Sequence, residues 1–414
     1  MSLCRVSVII ATYNTAEYLE ECFESIFNQT LRDIEVILID DGSTDSTSCI
    51  VEKYKQKYNN LVSFYQENTG AGRARNYGIT QATGEYMIFM DPDDKYPCNN
   101  CLEKLYVTAK KQSALICGGN IICNDNGVKR TQYLAGQGDI AHTKNSFINV
   151  ENYFFLYGHT RYLFSTKFII DNQIEYAIYS RYEDQVFTVK ALGIARWFYE
   201  LDYPVYEYRV NYKLVRNDPD MCFNIFSGIR DTYELMVKYN LRLMFENNYW
   251  KDMQNYVKIY IDYIFCTNSK VNMVLQDINK LVRKSGWESD EGHYITPGKV
   301  LEYRECILQE KAKIDRALMS GKPIIIYGAG MNTRRLILTN QGKLHNVVGI
   351  AVSDLADNNS QCEGFKVEII EYYLLYKDSA IVLITPSRKF RNDIVKILKD
   401  KGFKDYEWID GSML

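Results

Sequence analysis

The apolar positions of this chain follow two rhythms in turn. Val6-Ser7-Val8-Ile9-Ile10 is a nearly unbroken apolar run of strand length, after which Tyr18, Leu19, Cys22, Phe23, Ile26 and Phe27 recur at the spacing of one helix face. Val36-Ile37-Leu38-Ile39, Val62 to Tyr65 and Tyr86-Met87-Ile88-Phe89-Met90 predict three further strands, and Asp41-Gly42-Ser43-Thr44-Asp45 ends the first of them with helix-capping residues. Strands apolar throughout, alternating with helices, predict a mostly parallel sheet covered on its faces. Beyond about Ala114 the pattern loosens, and Asn124-Asp125-Asn126-Gly127 reads as a hairpin turn. Residues 221–318 read as helices, with Tyr256, Ile259, Tyr260, Tyr263 and Ile264 forming an apolar packing stripe. The β/α rhythm then restarts at Pro323-Ile324-Ile325-Ile326-Tyr327, with strands at Val347 to Val352 and Ala380 to Ile384 and a late helix carrying Ile394, Ile397 and Leu398. The expectation is an α/β protein in three parts: an α/β domain over 1–220, a helical region over 221–318 and a smaller α/β domain over 319–414.

Composition narrows the class. A chain of 414 residues is too long for one comfortable core. Apolar content of 46% and charged content of 24% suit a soluble globular protein, and a net charge of -3 gives no electrostatic reason to expect nucleic acid. No signal-peptide pattern opens the sequence and no run approaches the roughly 20 apolar residues of a membrane span. The expected location is the cytoplasm, with a peripheral position at the inner face of a membrane, and self-association, left open. The 11 cysteines are odd in number and scattered, as in a reducing compartment. Cys98 and Cys101 make one CxxC that lacks the second ligand pair of a zinc site and reads as coincidence. The 34 tyrosines suit carbohydrate surfaces as well as cores.

The chemistry gathers at predicted strand ends. Asp91-Pro92-Asp93-Asp94 follows directly on the strand Tyr86 to Met90, and open α/β sheets bind ligands beyond the carboxyl ends of their strands. Crowded carboxylates repel one another unless a cation neutralises them, which points to Mg²⁺ or Mn²⁺ bridging carboxylates to a diphosphate; the plain alternative is an acidic turn. Thr12-Tyr13-Asn14 and Asp40-Asp41-Gly42-Ser43 end two other strands, and Tyr13 and Asp41 offer an aromatic face and a hydrogen-bond acceptor for a base and ribose. The loop Gly70 to Arg75, entering a helix, offers cations and free amides to a phosphate.

Together these segments resemble glycosyltransferase family 2, which has the GT-A fold. The resemblance rests on Thr12-Tyr13-Asn14, Asp40-Asp41-Gly42-Ser43, Ala74-Arg75-Asn76, Gly84-Glu85-Tyr86 and Asp91-Pro92-Asp93-Asp94, in the family's order and at similar spacing. It is strong over about residues 4–110 and weaker to about 215. It implies an inverting enzyme of hexosyltransferase type that moves a sugar from a nucleotide-sugar, with UDP as the expected nucleotide, to a saccharide or lipid-linked saccharide acceptor in bacterial cell-surface polysaccharide assembly. It further implies a nucleotide site of Thr12, Tyr13, Asp41, Arg75, Asp91 and Asp93, with Asp93 and Asp94 at the metal. Arg75 either touches the base or diphosphate or braces its loop through Asp40. Glu183-Asp184 resembles the family's acidic pair at a helix start, which makes Asp184 the expected base; alternatively, both acids simply favour a helix N-terminus. Tyr206-Glu207-Tyr208-Arg209 resembles a segment downstream of that pair, but the serine that usually follows is not evident, so Arg209 receives no phosphate role.

A second loop, Gly328-Ala329-Gly330-Met331-Asn332-Thr333, follows a strand and opens a helix, with Thr333 where a dinucleotide fingerprint places Gly or Ala. With Asp354 and Gly364-Phe365-Lys366-Val367, it resembles the Rossmann-like module of bacterial polysaccharide-biosynthesis proteins. Two competing functions follow: an NAD(P)-dependent sugar-modifying oxidoreductase run by this domain, and a non-catalytic nucleotide-binding scaffold. No dehydrogenase acid–base group is evident for the first. The presence of both the acidic cluster and Glu183-Asp184 speaks against the second.

Overall fold

The computed structural model describes residues 4–125, 127–130, 144–210, 218–260, 269–287, 297–355, 358, 360–386 and 390–410. The chain divides into two compact units, the first comprising Met1–Tyr256 and Asp262–Tyr294, the second Val257–Ile261 and Ile295–Leu414.

The first unit is built on strands β1 (Val6–Thr12), β2 (Ile34–Asp40), β3 (Leu61–Tyr65), β4 (Tyr86–Met90), β5 (Ile116–Asp125), β6 (Val128–Arg130), β7 (Ser146–Asn149), β8 (Tyr162–Ser165) and β9 (Trp197–Arg209). Their order across the sheet is β3-β2-β1-β4-β8-β5-β9-β7, with β6 hairpinned on β5. Helices α1 (Ala16–Phe27), α2 (Thr47–Lys57), α3 (Ala71–Gln81), α4 (Cys101–Gln112), α5 (Thr166–Asp171) and α6 (Glu183–Ala195) intervene. The apolar stripe read from the sequence is the face α1 buries, through Leu19, Cys22, Phe23, Ile26 and Phe27. β4 is buried along its whole length, whereas β3, at the sheet edge, exposes Val62 and Tyr65.

β1 to β4 are parallel and in register at their carboxyl ends: Thr12 lies opposite Asp40, Asp40 opposite Tyr65, and Ile10 opposite Met90. The motif residues after each strand therefore emerge along one edge. The remainder of the sheet departs from the parallel expectation, because β8 runs antiparallel to β4 and β5 antiparallel to β8. The predicted hairpin turn joins β5 to β6, and Gly127, at φ +94°, donates its amide to Asn124 Oδ1 at 2.8 Å. Asn126 lies outside the described residues.

The helical region contains α7 (Pro219–Lys238), α8 (Arg242–Ile259), α9 (Ser269–Ser285) and α10 (Pro297–Met319). Asp218 caps α7 by accepting from the Met221 amide at 2.8 Å, with Pro219 in the first turn. Of the predicted stripe, Tyr256 and Ile259 are part-buried and Tyr260 is buried, while Tyr263 and Ile264 lie outside the described residues. The CxxC cysteines carry no disulfide: Cys101 opens α4 in the core, and Cys98 precedes the helix.

The second unit has strands β10 (Ile324–Tyr327), β11 (Val347–Val352), β12 (Gln361–Cys362), β13 (Phe365–Ile369), β14 (Ile381–Ile384) and β15 (Asp405–Trp408), in the order β12-β13-β11-β10-β14-β15 and parallel except for β12 on β13. Helices α11 (Met331–Thr339) and α12 (Arg391–Asp400) cover it. Strand alternation divides its core: Ile324 and Ile326 pack with Leu336 and Leu383 on one face, Ile325 and Tyr327 with Val382, Ile394 and Leu398 on the other. Ile314, Ala317 and Leu318 of α10 belong to the first of these cores. The boundary expected at 319 accordingly falls before α10, because that helix buries its apolar face here. Thr333, at the third fingerprint position, is buried, and its hydroxyl donates to the Gly328 carbonyl and pairs with Thr385.

Leu336 is fully buried, so Leu336→Ala should cost about 2–5 kcal/mol and speed amide exchange in β10, β11 and β14 by roughly 30-fold or more. Acceleration below about tenfold would show that this core closes over the cavity.

Candidate active site

The carboxyl ends of β1 and β2 are tied together before any ligand is considered. Asn14 stands at φ +52°, and its side-chain oxygen accepts from the Thr44 amide at 2.8 Å and the Asp45 amide at 3.3 Å. Thr12 is buried with its hydroxyl 2.5 Å from that of Thr15, whereas Tyr13 beside it is 48% exposed and presents an open aromatic face. Asp40 accepts from the Ser43 amide at 2.9 Å, and Gly42 turns the chain at φ +84°, where a Cβ would sit 2.9 Å from the Asn68 nitrogen. Asp41 is buried. Its Oδ1 accepts from the Gln66 amide group at 2.7 Å and the Thr69 backbone at 2.9 Å, and its Oδ2 from the Gly70 backbone at 2.8 Å. Asp41 thus shapes the loop that opens α3, and Oδ2, with one such bond, retains accepting capacity.

The acidic turn after β4 is held by β9. The Asp94 amide donates to the Asp91 carbonyl at 3.0 Å, and the Asp91 amide donates to the Tyr206 hydroxyl at 3.2 Å. The Asp94 carboxylate is buried, with Oδ1 accepting from the Arg209 amide at 2.7 Å and Oδ2 from the Tyr206 hydroxyl at 2.7 Å. Burial, and then the charges of Asp91 and Asp93, push its carboxyl well above the usual range. The sequence grouped Asp94 with Asp93 at the metal; in the structure its oxygens turn toward β9. Arg209 braces the same turn, donating from Nε to the Asp93 carbonyl at 3.0 Å.

Arg75 links this turn to the acidic pair. It is 8% exposed, and it donates from Nη2 to Asp91 Oδ1 at 2.9 Å and from Nη1 to Glu183 Oε1 at 2.8 Å. It therefore acts as a brace, but toward Asp91 and Glu183 and not toward Asp40. The side chain of its neighbour Asn76 grips the backbone of the segment before α6, with Nδ2 donating to the Tyr176 carbonyl at 2.9 Å and Oδ1 accepting from the Tyr176 amide at 2.8 Å. Gly72 permits the approach, since a Cβ there would lie 2.3 Å from the Ala177 carbonyl oxygen.

Glu183 and Asp184 open α6, where free amides favour negative charge. Their environments pull their acidities apart. Burial and the charge of Asp184 raise Glu183, a rise that Arg75 only partly offsets. Burial also opposes ionisation of Asp184, but His159 and Arg75 overcome it and hold that carboxyl below its ordinary value. His159 Nδ1 lies 3.5 Å from Asp184 Oδ2, and its Nε2 is buried without a hydrogen-bond partner among the described residues. A cleft of about 380 Å³ opens here, lined by Asp91, Tyr157, His159, Asp184, Tyr208 and Tyr256 among others; Tyr13 and Asp41 do not line it. Among the described residues, no group of three or more His, Cys, Asp or Glu side chains is arranged to hold a metal ion by itself.

Residues 7–176 match the family profile described as Glycosyl transferase family 2. This stretch is a family 2 glycosyltransferase domain. The chain is 28% identical over 269 residues to EpsH of Bacillus subtilis (strain 168), a protein assigned as a glycosyltransferase, covering 62% of this chain and 74% of that one. It is 41% identical over 116 residues to the glycosyltransferase GlyG of Streptococcus pneumoniae, covering 28% of this chain and 38% of that one. It is 31% identical over 192 residues to the poly(ribitol-phosphate) beta-glucosyltransferase of Bacillus spizizenii, covering 45% of this chain and 29% of that one. The chain thus spans well under half of the last two relatives. In fold it resembles the crystal structure of S. aureus TarS 1–349 in complex with UDP, with a TM-score of 0.51, 22% identity, and coverage of 68% of this chain and 88% of that one. The family match ends at 176, so it covers Asp91, Tyr157 and His159 of the cleft but not Glu183, Asp184, Tyr208 or Tyr256.

Arg75→Ala would leave Asp91 and Glu183 partly buried without their cation. It should destabilise the domain by about 3–5 kcal/mol at neutral pH. Because Glu183 is already held above the usual carboxylate range, the deficit should narrow as pH falls and that carboxyl takes up a proton. Denaturant unfolding across pH reads this, and a deficit that widens toward acid would contradict it.

Proposed function

We propose that the protein transfers a sugar from a UDP-linked donor to an acceptor hydroxyl with inversion at the anomeric carbon, in the assembly of a bacterial cell-surface polysaccharide. The observation that carries this reading is the bridge through Arg75, which brings Asp91 of the donor-side turn and the Glu183-Asp184 pair to one cleft. The resemblance to proteins described as a poly(ribitol-phosphate) beta-glucosyltransferase and as TarS in complex with UDP supports it.

In this mechanism the base of the nucleotide stacks on Tyr13 and donates a hydrogen bond to Asp41 Oδ2, at the edge to which Thr12 belongs. Asp93 and Asp91 offer hard oxygen donors beside one another at the end of β4, which suits a site completed by Mg²⁺ or Mn²⁺. Such a cation, when bound, neutralises charge on the leaving diphosphate. Asp94 has the supporting part of anchoring the turn that presents Asp93. Asp184, ionised at neutral pH, takes the proton of the acceptor hydroxyl as that oxygen attacks. Glu183, paired with Arg75, holds the first turn of α6 in place. The second unit takes a docking role and no NAD(P) chemistry, a reading supported by Thr333 filling the third fingerprint position.

Asp184→Asn should leave UDP affinity within about twofold by calorimetry and lower UDP release from UDP-sugars by roughly 10²–10⁴. Near-normal turnover would remove Asp184 from the base role. Because its carboxyl is held below the ordinary value of about 4, wild-type turnover should lose this base only below about pH 4.

Asp93→Ala should abolish the dependence of UDP binding on Mn²⁺, whereas Asp94→Asn should retain that dependence and lower the melting temperature. The reverse pattern would return the metal to Asp94.

A further inference from the structure

Tyr182, the residue before the acidic pair, adopts a left-handed backbone with φ +72° and ψ +12°. For a bulky aromatic residue this conformation is strained by about 1–3 kcal/mol, and it persists only where surroundings impose it. The surroundings are specific. The Tyr182 hydroxyl donates to Asp252 Oδ2, the Tyr233 hydroxyl to the same oxygen at 3.2 Å, and the Tyr157 hydroxyl to Asp252 Oδ1 at 2.5 Å. Asp252 lies on α8, is 2% exposed, and has these three hydroxyls converging on it. Hydrogen bonds to a buried carboxylate are the strong kind, and they offset the cost of keeping the charge out of water. Gly228 of α7 completes the fit, because a Cβ there would stand 2.8 Å from Tyr182 Cβ. The Tyr256 ring meets the Tyr182 ring edge-on at 6.0 Å.

The backbone angles of Tyr182 set the direction in which α6 leaves the preceding loop. A right-handed or extended residue there would rotate the first turn, carrying Glu183 off Arg75 and Asp184 away from His159. Tyr157, Tyr182 and Tyr256 also line the cleft beside Asp184, so the clamp shapes the wall the acceptor must pass. From this geometry we infer that Asp252 is a positioning residue, which acts through the Tyr182 hydroxyl to aim Asp184 into the cleft. The inference rests on the transfer reading above, in which Asp184 is the base.

Tyr182→Phe, Asp252→Asn and the double variant test it, with UDP binding followed by calorimetry, UDP release from UDP-sugars with Mn²⁺, and amide exchange over residues 182–186. Each single change should lower kcat by about 10-fold or more with KM for the donor and UDP affinity within about twofold. The double variant should be no slower than the slower single, because both cuts sever one link. Exchange over 182–186 should speed in both singles. A lower melting temperature with unchanged kcat per folded molecule, or losses that multiply in the double variant, would overturn the inference. If Asp252→Asn does not fold, Tyr182→Phe alone decides. If wild-type protein binds no UDP, the transfer reading fails, and unchanged exchange over 182–186 would then separately sink the clamp.

Discussion

Arg75 carries a full charge into a site almost closed to water, and it can do so only because Asp91 and Glu183 meet it there. Burying an isolated cation is very costly, and placing it between two carboxylates in hydrogen-bond geometry offsets much of that cost. The requirement works in both directions. The turn after β4 and the start of α6 are far apart in the chain, and each presents a partly buried acid to the guanidinium. That shared need draws the turn after β4 and the acidic pair to a common cleft.

The surrounding structure consists of further ties of the same kind. Asp94 is committed to Tyr206 and Arg209, so the acidic turn is fastened to β9. Asp41 is committed to the backbone of Thr69 and Gly70, so the loop into α3 is fastened to β2. Asp252 is committed to three tyrosines, so the entry to α6 is fastened to α7 and α8. In each case a buried carboxylate ties two distant segments together through hydrogen bonds. The contrast between Glu183 and Asp184 follows from their partners. Glu183 faces a guanidinium that must also serve Asp91, while Asp184 has His159 beside it.

The second unit shows how a familiar loop can be closed by packing. A glycine at the third fingerprint position lets a helix approach its strand. Thr333 occupies that position with a buried hydroxyl bonded to the Gly328 carbonyl and to Thr385, so the loop is braced from within. The same sheet recruits α10, whose Ile314 and Leu318 are buried in its core.

Strands buried on both faces announce themselves as unbroken apolar runs, so β1, β2, β4 and β11 were legible in the sequence, as was the buried face of α1. The acids after β4 and the polar ends of β1 and β2 were legible too, because chemistry at strand ends is written in consecutive residues. The mixed half was not, since the antiparallel pairing of β5 with β8 and its parallel pairing with β9 depend on partners distant in the chain, and local periodicity does not report them. Nor did the sequence report that the Asp94 carboxylate faces Tyr206 and Arg209, or that His159 and Tyr157 line the cleft. Those assignments turn on which atoms face one another across the fold. A lone histidine in a short turn, or one aspartate on a long helix, has no local signature. The residue types and their order came from the sequence, whereas burial, the partner of each carboxylate and the left-handed turn at Tyr182 were decided by tertiary packing, because only there do distant charges and hydroxyls come within hydrogen-bond reach.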